Sequence, residues 1–242
     1  RDAVGLSVAR GADVTLCVSV EIQKEATELG ARDARLMMVV APALPVPRRG
    51  RAEVREELGV AADAPMILAV GRLHEQKRHD ILISAAARWR DLRPVPAVVI
   101  AGTGPRYRQL VGQVAMARAP VSLIGQREDI ADLLAAADLA VVTSDAEGSP
   151  LFVQEALASG TPLVATAVVG VAELVDDAAV VVPPDDVDAV DAAVRELIAD
   201  PARRAVMVAA GRAVAGAWPT PDQTVEQIVA IYRDLVTAAG AG

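Results

Sequence analysis

Two pairs of charged residues carry the chemistry open to this sequence. In "SDAEGSPLFVQEALASGTPLVAT", residues 144–166, Glu147 and Glu155 have seven residues between them, Gly-Ser-Pro among these. Ser149 and Pro150 read as the N-cap and first residue of a helix that stops at Gly160. The backbone N–H groups of Gly148 to Phe152 would then be open to an anion. A carboxylate cannot bind phosphate, but it accepts two hydrogen bonds from a vicinal diol. Two carboxylates flanking an anion site therefore suit a ligand with hydroxyls on both sides of a phosphate group, which describes a nucleotide sugar. The plainer reading, with Glu147 a local cap and Glu155 a solvated helix residue, stays open. Against it stand the apolar neighbours Val153, Ala156 and Leu157, which would leave Glu155 as a costly unpaired carboxylate.

The second pair is in "VGRLHEQKRHD", where Arg72 and Lys77 stand five residues apart across a short loop. Gly71 lets the backbone turn closely. A guanidinium fork and an ammonium point charge together could neutralise a diphosphate, although loop arginines and lysines are more often simply solvated.

Eight short runs rich in β-branched residues must position these groups: residues 14–20, 36–41, 66–71, 97–102, 121–125, 138–144, 162–166 and 178–183. Each is followed by a polar or glycine-rich break, most of these leading into a helical pattern, so the expected fold is α/β, a Rossmann-like parallel sheet flanked by helices. In "HDILISAAARWRDL", Ile81, Leu82, Ala85, Ala86 and Trp89 fall on one helical face. The last helix shows Val225, Ile228, Val229, Tyr232 and Leu235 or Val236 on one side and needs a surface to cover. "APALPVPRRGR", residues 41–51, is a proline-rich linker, expected to be extended. The domain reading is a tail of a preceding domain at 1–45, a linker at 46–51, the ligand domain at 52–205, and helices at 206–242 packing back toward the preceding domain.

Composition bounds the rest. Hydrophobic residues make up 53% of the 242 and aromatic residues 2%, so the core must be aliphatic. A net charge of −8 with no basic stripe argues against a nucleic-acid partner. The single cysteine, Cys17, reads as a buried strand residue, and the expected setting is cytoplasmic. No apolar run reaches the ~20 residues of a membrane-spanning helix. The chain opens on Arg1 rather than Met and reads as part of a longer protein.

The order "AVGRLHEQK", "VVIAGTGP", the 121–166 stretch holding E-x7-E, and "VVGVAELV" resembles the C-terminal, donor-binding domain of retaining group 1 glycosyltransferases of the GT-B fold. The resemblance runs from about residue 12 to the C-terminus. It implies a GT-B C-terminal domain with a remnant of the N-terminal one, and transfer of a hexosyl group from a nucleotide diphosphosugar with retention. Arg72 and Lys77 would hold the diphosphate and stabilise the leaving nucleotide. Glu147 would lie near the transferred sugar, completing the catalytic set, and Glu155 would bind the ribose. Gly71, the Gly148, Ser149, Pro150 and Leu151 backbone, and Gln126, Arg127 and Ile130 beside the nucleobase would complete the donor site. No cofactor or metal is implied. The acceptor, whether glycan, lipid or small molecule, is not named, and peripheral membrane contact through the missing domain stays open.

Departures matter too. "EGSP" replaces the commoner E-G-F-G, which bears on sugar selectivity, and "APALPVP" replaces the usual Asn-Gly-Val-Asp turn. With the acceptor half missing, the segment alone is expected to bind donor weakly and not to turn over. A nucleotide-sugar epimerase on the same fold and a non-catalytic nucleotide-sugar-binding or partner-binding module remain alternatives. Asp186 to Asp188 read as a helix cap rather than a metal pair, His74 and His79 as exposed loop residues, and Trp218 as a packing residue.

Overall fold

Aliphatic, largely β-branched residues fill the strands of a six-stranded parallel sheet, with Ser122 and Thr166 the polar exceptions. The computed structural model describes Ser7 and residues 9–240; residues 1–6, 8, 241 and 242, at the outer ends of the first and last expected segments, lie outside the described residues. Strands β3 (Met66–Val70), β4 (Ala97–Ala101), β5 (Val121–Leu123), β6 (Leu139–Val142), β7 (Leu163–Thr166) and β8 (Ala179–Val182) lie in the order β5-β4-β3-β6-β7-β8. Every ladder is parallel, with Met66 opposite Ala97 and Ala140 opposite Leu163. The strand order reverses between β3 and β6. In such sheets this switch point opens a crevice at the carboxyl ends of the strands.

Helices cover both faces. Leu68, Ile67, Leu82, Ile83, Leu133, Leu134 and Leu139 are each 0–1% exposed, an aliphatic interior as the scarcity of aromatics requires. Phe152 and Trp89 are the buried aromatic residues among those described; Trp89 is fully buried, and its indole N–H donates to Asp191 at 2.7 Å. The hydrogen bond lets the ring be buried without an orphaned donor.

Two compact units divide the chain. Ala43–Ala217 contains the six-stranded sheet. The segments before Ala43 and after Ala217 make the other unit, which holds a parallel pair, β1 (Thr15–Cys17) and β2 (Ala34–Leu36), helix α1 (Val20–Glu28) and, near the end of the chain, Trp218 and a helix at Pro221–Gly240. Ser19 caps α1, its hydroxyl accepting from the Ile22 N–H at 3.2 Å. Cys17 is 1% exposed, as its apolar surroundings suggested.

The unit boundaries differ from the segments read in the sequence. Within the linker, the Arg48 N–H donates to the Asp132 carboxylate at 2.7 Å and the Arg49 Nε at 3.0 Å, which fastens this stretch to the sheet unit. Residues 206–217 belong there too. Helix Pro201–Ala217 buries Met207 and brings Gly211 against Leu157, where an added Cβ would stand 3.2 Å from the Leu157 Cδ2. The strand expected at 36–41 is corrected: β2 ends at Leu36, because its partner β1 ends at Cys17, and after the Met37 N–H bonds to the Cys17 carbonyl no further β1 residue is there to pair with. Along the final helix, Ile228 and Leu235 are half-buried while Val225, Val229, Tyr232 and Val236 are exposed.

Candidate functional site

Two glycines let two loops cross at the carboxyl end of β3. The Gly71 N–H donates to the Ala101 carbonyl at 3.0 Å and the Leu73 N–H to the Thr103 carbonyl at 2.8 Å, so the loop after β3 lies on the loop after β4. A Cβ on Gly102, whose φ is +148°, would lie 1.9 Å from the Gly71 carbonyl oxygen, and one on Gly104 2.4 Å from that of Leu73. Only glycine allows this approach. Beyond it a short 3-10 turn, Glu75–Lys77, carries Lys77, and Arg78 in left-handed conformation leads into helix α2 (His79–Ala86).

The loop after β6 is tied to that turn. The Thr143 hydroxyl donates to the Lys77 and Arg78 carbonyls at 3.1 and 2.9 Å, the Asp145 N–H to the Gln76 carbonyl at 3.0 Å, and the Gln76 amide to the Ala146 carbonyl at 2.7 Å. The result brings Lys77 Nζ within 2.6 Å of Glu147 Oε1, which also accepts from the Ser144 hydroxyl at 2.6 Å. The Glu147 side chain is 7% exposed and that of Lys77 25%. Gly170, in the loop after β7, closes the far side: a Cβ there would lie 2.2 Å from the Gly148 carbonyl oxygen.

Helix α3 (Leu151–Ser159) starts at the mouth of this crevice and ends at Gly160, φ +78°. Its N-cap is Pro150, in extended conformation, rather than Ser149. The reading of Ser149 as a cap is thereby corrected. Its hydroxyl instead accepts from the amide of Gln154, itself 1% exposed. Glu155 is half-buried and makes no ion pair among the described residues. Burial raises its carboxyl above the usual range.

A cavity of about 470 Å³ gathers Arg72, Lys77, Glu147 and Glu155, with Ser149 to Leu151 on its wall. Arg72 is exposed and forms no ion pair among the described residues. A smaller recess of about 240 Å³ shares Gly71, Arg72, Arg127 and Ile130 and adds Gln126. The two charge pairs read from spacing thus share one cavity, while Gln126 lines the recess alone. Gly148 is not on the cavity wall; its carbonyl lies against Gly170. Arg127 lines both spaces, but its guanidinium is held by Asp129 at 2.6 and 2.8 Å and by Glu57 at 2.7 Å. Those carboxylates push its pKa above the ordinary arginine value.

His79 was missed. Expected in an exposed loop, it is 4% exposed and lines the main cavity, with neither ring nitrogen in a hydrogen bond. As the first residue of α2 it turns inward beneath the loop crossing. Burial, with the Lys77 charge second, holds its imidazole at about 4. The unfolded chain takes up a proton near 6.5 that the folded chain refuses, so stability is full above that pH and falls as pH drops toward 4. The fall attributable to His79 is about 3 kcal/mol. Urea titrations at pH 7 and pH 5 check this: His79→Phe is expected to lose less stability between the two than the parent. Thr143, Ser144 and Gly170 were also unremarked; polar residues at the end of a buried strand, "VVTS", were the available signal.

Among the described residues no group of three or more His, Cys, Asp or Glu side chains could hold a metal ion, and no helix is long and apolar enough to cross a membrane. Asp186 caps its helix, accepting from the Ala189 N–H at 2.9 Å.

A doubly wound sheet with a polar, charge-bearing crevice at its switch point defines the fold class, and solved structures share it. Sucrose-phosphate synthase from Thermosynechococcus elongatus superposes with a TM-score of 0.83 at 28% identity, over 98% of this chain and 62% of that one. HepE of Anabaena, solved in complex with UDP-glucose, gives 0.86 at 22% identity, over 96% of this chain and 67% of that one. A D-inositol 3-phosphate glycosyltransferase of Geodermatophilus obscurus is 36% identical over 218 residues, 83% of this chain and 48% of that protein. The family profile described as "Glycosyl transferases group 1" matches residues 50–214. The chain belongs to the group 1 glycosyltransferase family, and it spans about half the length of the Geodermatophilus relative.

Proposed function

We propose that this chain is the donor-binding half of a retaining hexosyltransferase and that its main cavity takes a nucleotide diphosphosugar. The observation that carries the reading is the convergence of Arg72, Lys77, Glu147 and Glu155 on one cavity at the switch point. Arg72 extends free positive charge to a diphosphate, and Lys77 adds to it on leaving Glu147. Together they offset the charge that develops on the departing nucleotide, so that no metal is needed for that task. Glu155, half-buried and without an ion-pair partner among the described residues, accepts from the ribose hydroxyls. Glu147, fixed by Ser144, faces the transferred sugar. HepE, of the same fold, is described in complex with UDP-glucose, which supports a uridine nucleotide as the first ligand to try.

Glu155 supplies the test. Its raised pKa means that the ionised form is disfavoured in the folded state, so its contribution to stability is greatest at low pH and is lost as pH rises through the folded pKa. Glu155→Gln is therefore expected to raise the Tm at pH 7 while weakening nucleotide binding at least tenfold. Calorimetric titration with UDP, GDP and ADP, on the parent, Glu155→Gln and Arg72→Ala, measures the second effect. Unchanged affinity in both variants would overturn the reading.

A further inference from the structure

The opposite edge of the same sheet carries a second cavity. It lies where β3, β4 and β6 begin, beside Pro65, Pro94 and Asp138, and its volume, about 530 Å³, is comparable with that of the donor cavity. Arg51, Arg55, Arg93 and Arg204 line it from three separate segments, over the aliphatic side chains of Leu92, Leu139 and Ile198. In a chain of net charge −8 such convergence needs a cause.

Part of the cause is structural, because each guanidinium satisfies carbonyls at the end of a helix or turn. Arg51 bonds Ala137 and Arg55 bonds Ala136, at the end of helix Ile130–Ala136; Arg204 bonds Leu197 and Ile198; Arg93 bonds Arg90 and Leu92. These bonds leave donors over. Arg93 and Arg204 are each tied through Nη1 alone, and neither forms an ion pair among the described residues. The Arg55 Nε is buried with no partner. Arg195 also reaches the cavity, but Asp191 and Asp91 hold it.

The charges do not cancel. Asp138 pairs with both Arg51 and Arg55 and also accepts from the Met66 N–H, and the exposed Asp63 is the other carboxylate lining the cavity. Arg93 and Arg204 are the arginines of this lining that no carboxylate among the described residues pairs, two positive charges to meet one phosphate monoester dianion. A guanidinium tethered through one nitrogen presents its remaining N–H groups in a fixed plane, the geometry that suits phosphate oxygens. We propose that this cavity binds a phosphate monoester with a small uncharged body, the phosphate on Arg93 and Arg204 and the body over the aliphatic floor. The site is independent of the donor cavity.

Glycerol 3-phosphate is the probe, titrated calorimetrically into the Arg72→Ala chain so that binding at the donor cavity is weakened. Saturable binding is expected, and adding Arg93→Ser should weaken it at least tenfold. Arg93 is exposed, so the fold should survive its loss, which an unchanged Tm confirms. Should Arg93→Ser lower the Tm, Arg93→Gln, which keeps the aliphatic stem, takes its place. Absence of binding by the folded Arg72→Ala chain, or affinity that ignores the change at Arg93, would overturn the proposal.

Discussion

Lys77→Ala is expected to abolish measurable nucleotide binding and to destabilise the chain, two losses with separable causes. In the ligand-free fold the ammonium is the ion-pair partner of Glu147, at 2.6 Å, and the Glu147 side chain is 7% exposed. Removing the ammonium leaves a nearly buried carboxylate with the Ser144 hydroxyl at 2.6 Å. Stranding one member of a buried pair costs about 3–5 kcal/mol, and the quarter exposure of the Lys77 side chain places this case toward the low end. The companion variant separates the causes. Lys77→Ala with Glu147→Gln removes the stranded charge and should recover most of the stability, while binding stays absent because no ammonium reaches the diphosphate. Chemical denaturation and calorimetry on the two single variants and the double variant measure both. Recovery of binding together with stability would show that Lys77 serves the fold alone.

Gly102→Ala should do still more damage, without touching a charged group. Its Cβ would stand 1.9 Å from the Gly71 carbonyl oxygen, at a φ of +148° that side chains other than glycine rarely adopt. The backbone that must give way is the one bearing Arg72. The expected result is a loss of more than about 4 kcal/mol, in the range reserved for a clash or strain of this kind, together with loss of nucleotide binding in any folded fraction. Gly59 is the control. Its φ is +67°, but nothing lies within 4 Å of an added Cβ, so Gly59→Ala should cost only the conformational penalty of about 1–2 kcal/mol. Equal destabilisation by the two substitutions would mean that the loop crossing can relax.

The strands were legible because a parallel sheet covered on both faces needs apolar β-branched runs, and those runs end at residues that turn, such as Gly71, Gly102 and Gly125. The over-reading at 36–41 has the same origin: the run is apolar, but a strand also needs a partner, and β1 is three residues long. Strand order is a long-range property that no local run records, so the switch point between β3 and β6 emerged from the structure alone. Of the cavity's charged residues, Glu147 and Glu155 stood out because they flank a helix start with apolar neighbours, whereas the spacing of Arg72 and Lys77 is weak by itself and drew notice through the motif order that resembles the family. His79 was hidden, since its burial comes from the crossing above it and its neighbours in sequence are polar. Ser149 was misjudged as a cap because Gln154 holds its hydroxyl, and a contact five residues on leaves no mark in the local pattern.

The chain has two tryptophans, and each compact unit holds one: Trp89 in the sheet unit, fully buried and bonded to Asp191, and Trp218 in the other, half-buried. Each unit therefore carries its own intrinsic fluorophore, in a distinct environment. Single-tryptophan versions of the chain can report the melting of one unit at a time, and whether the two emission curves coincide reads directly whether the units unfold as one.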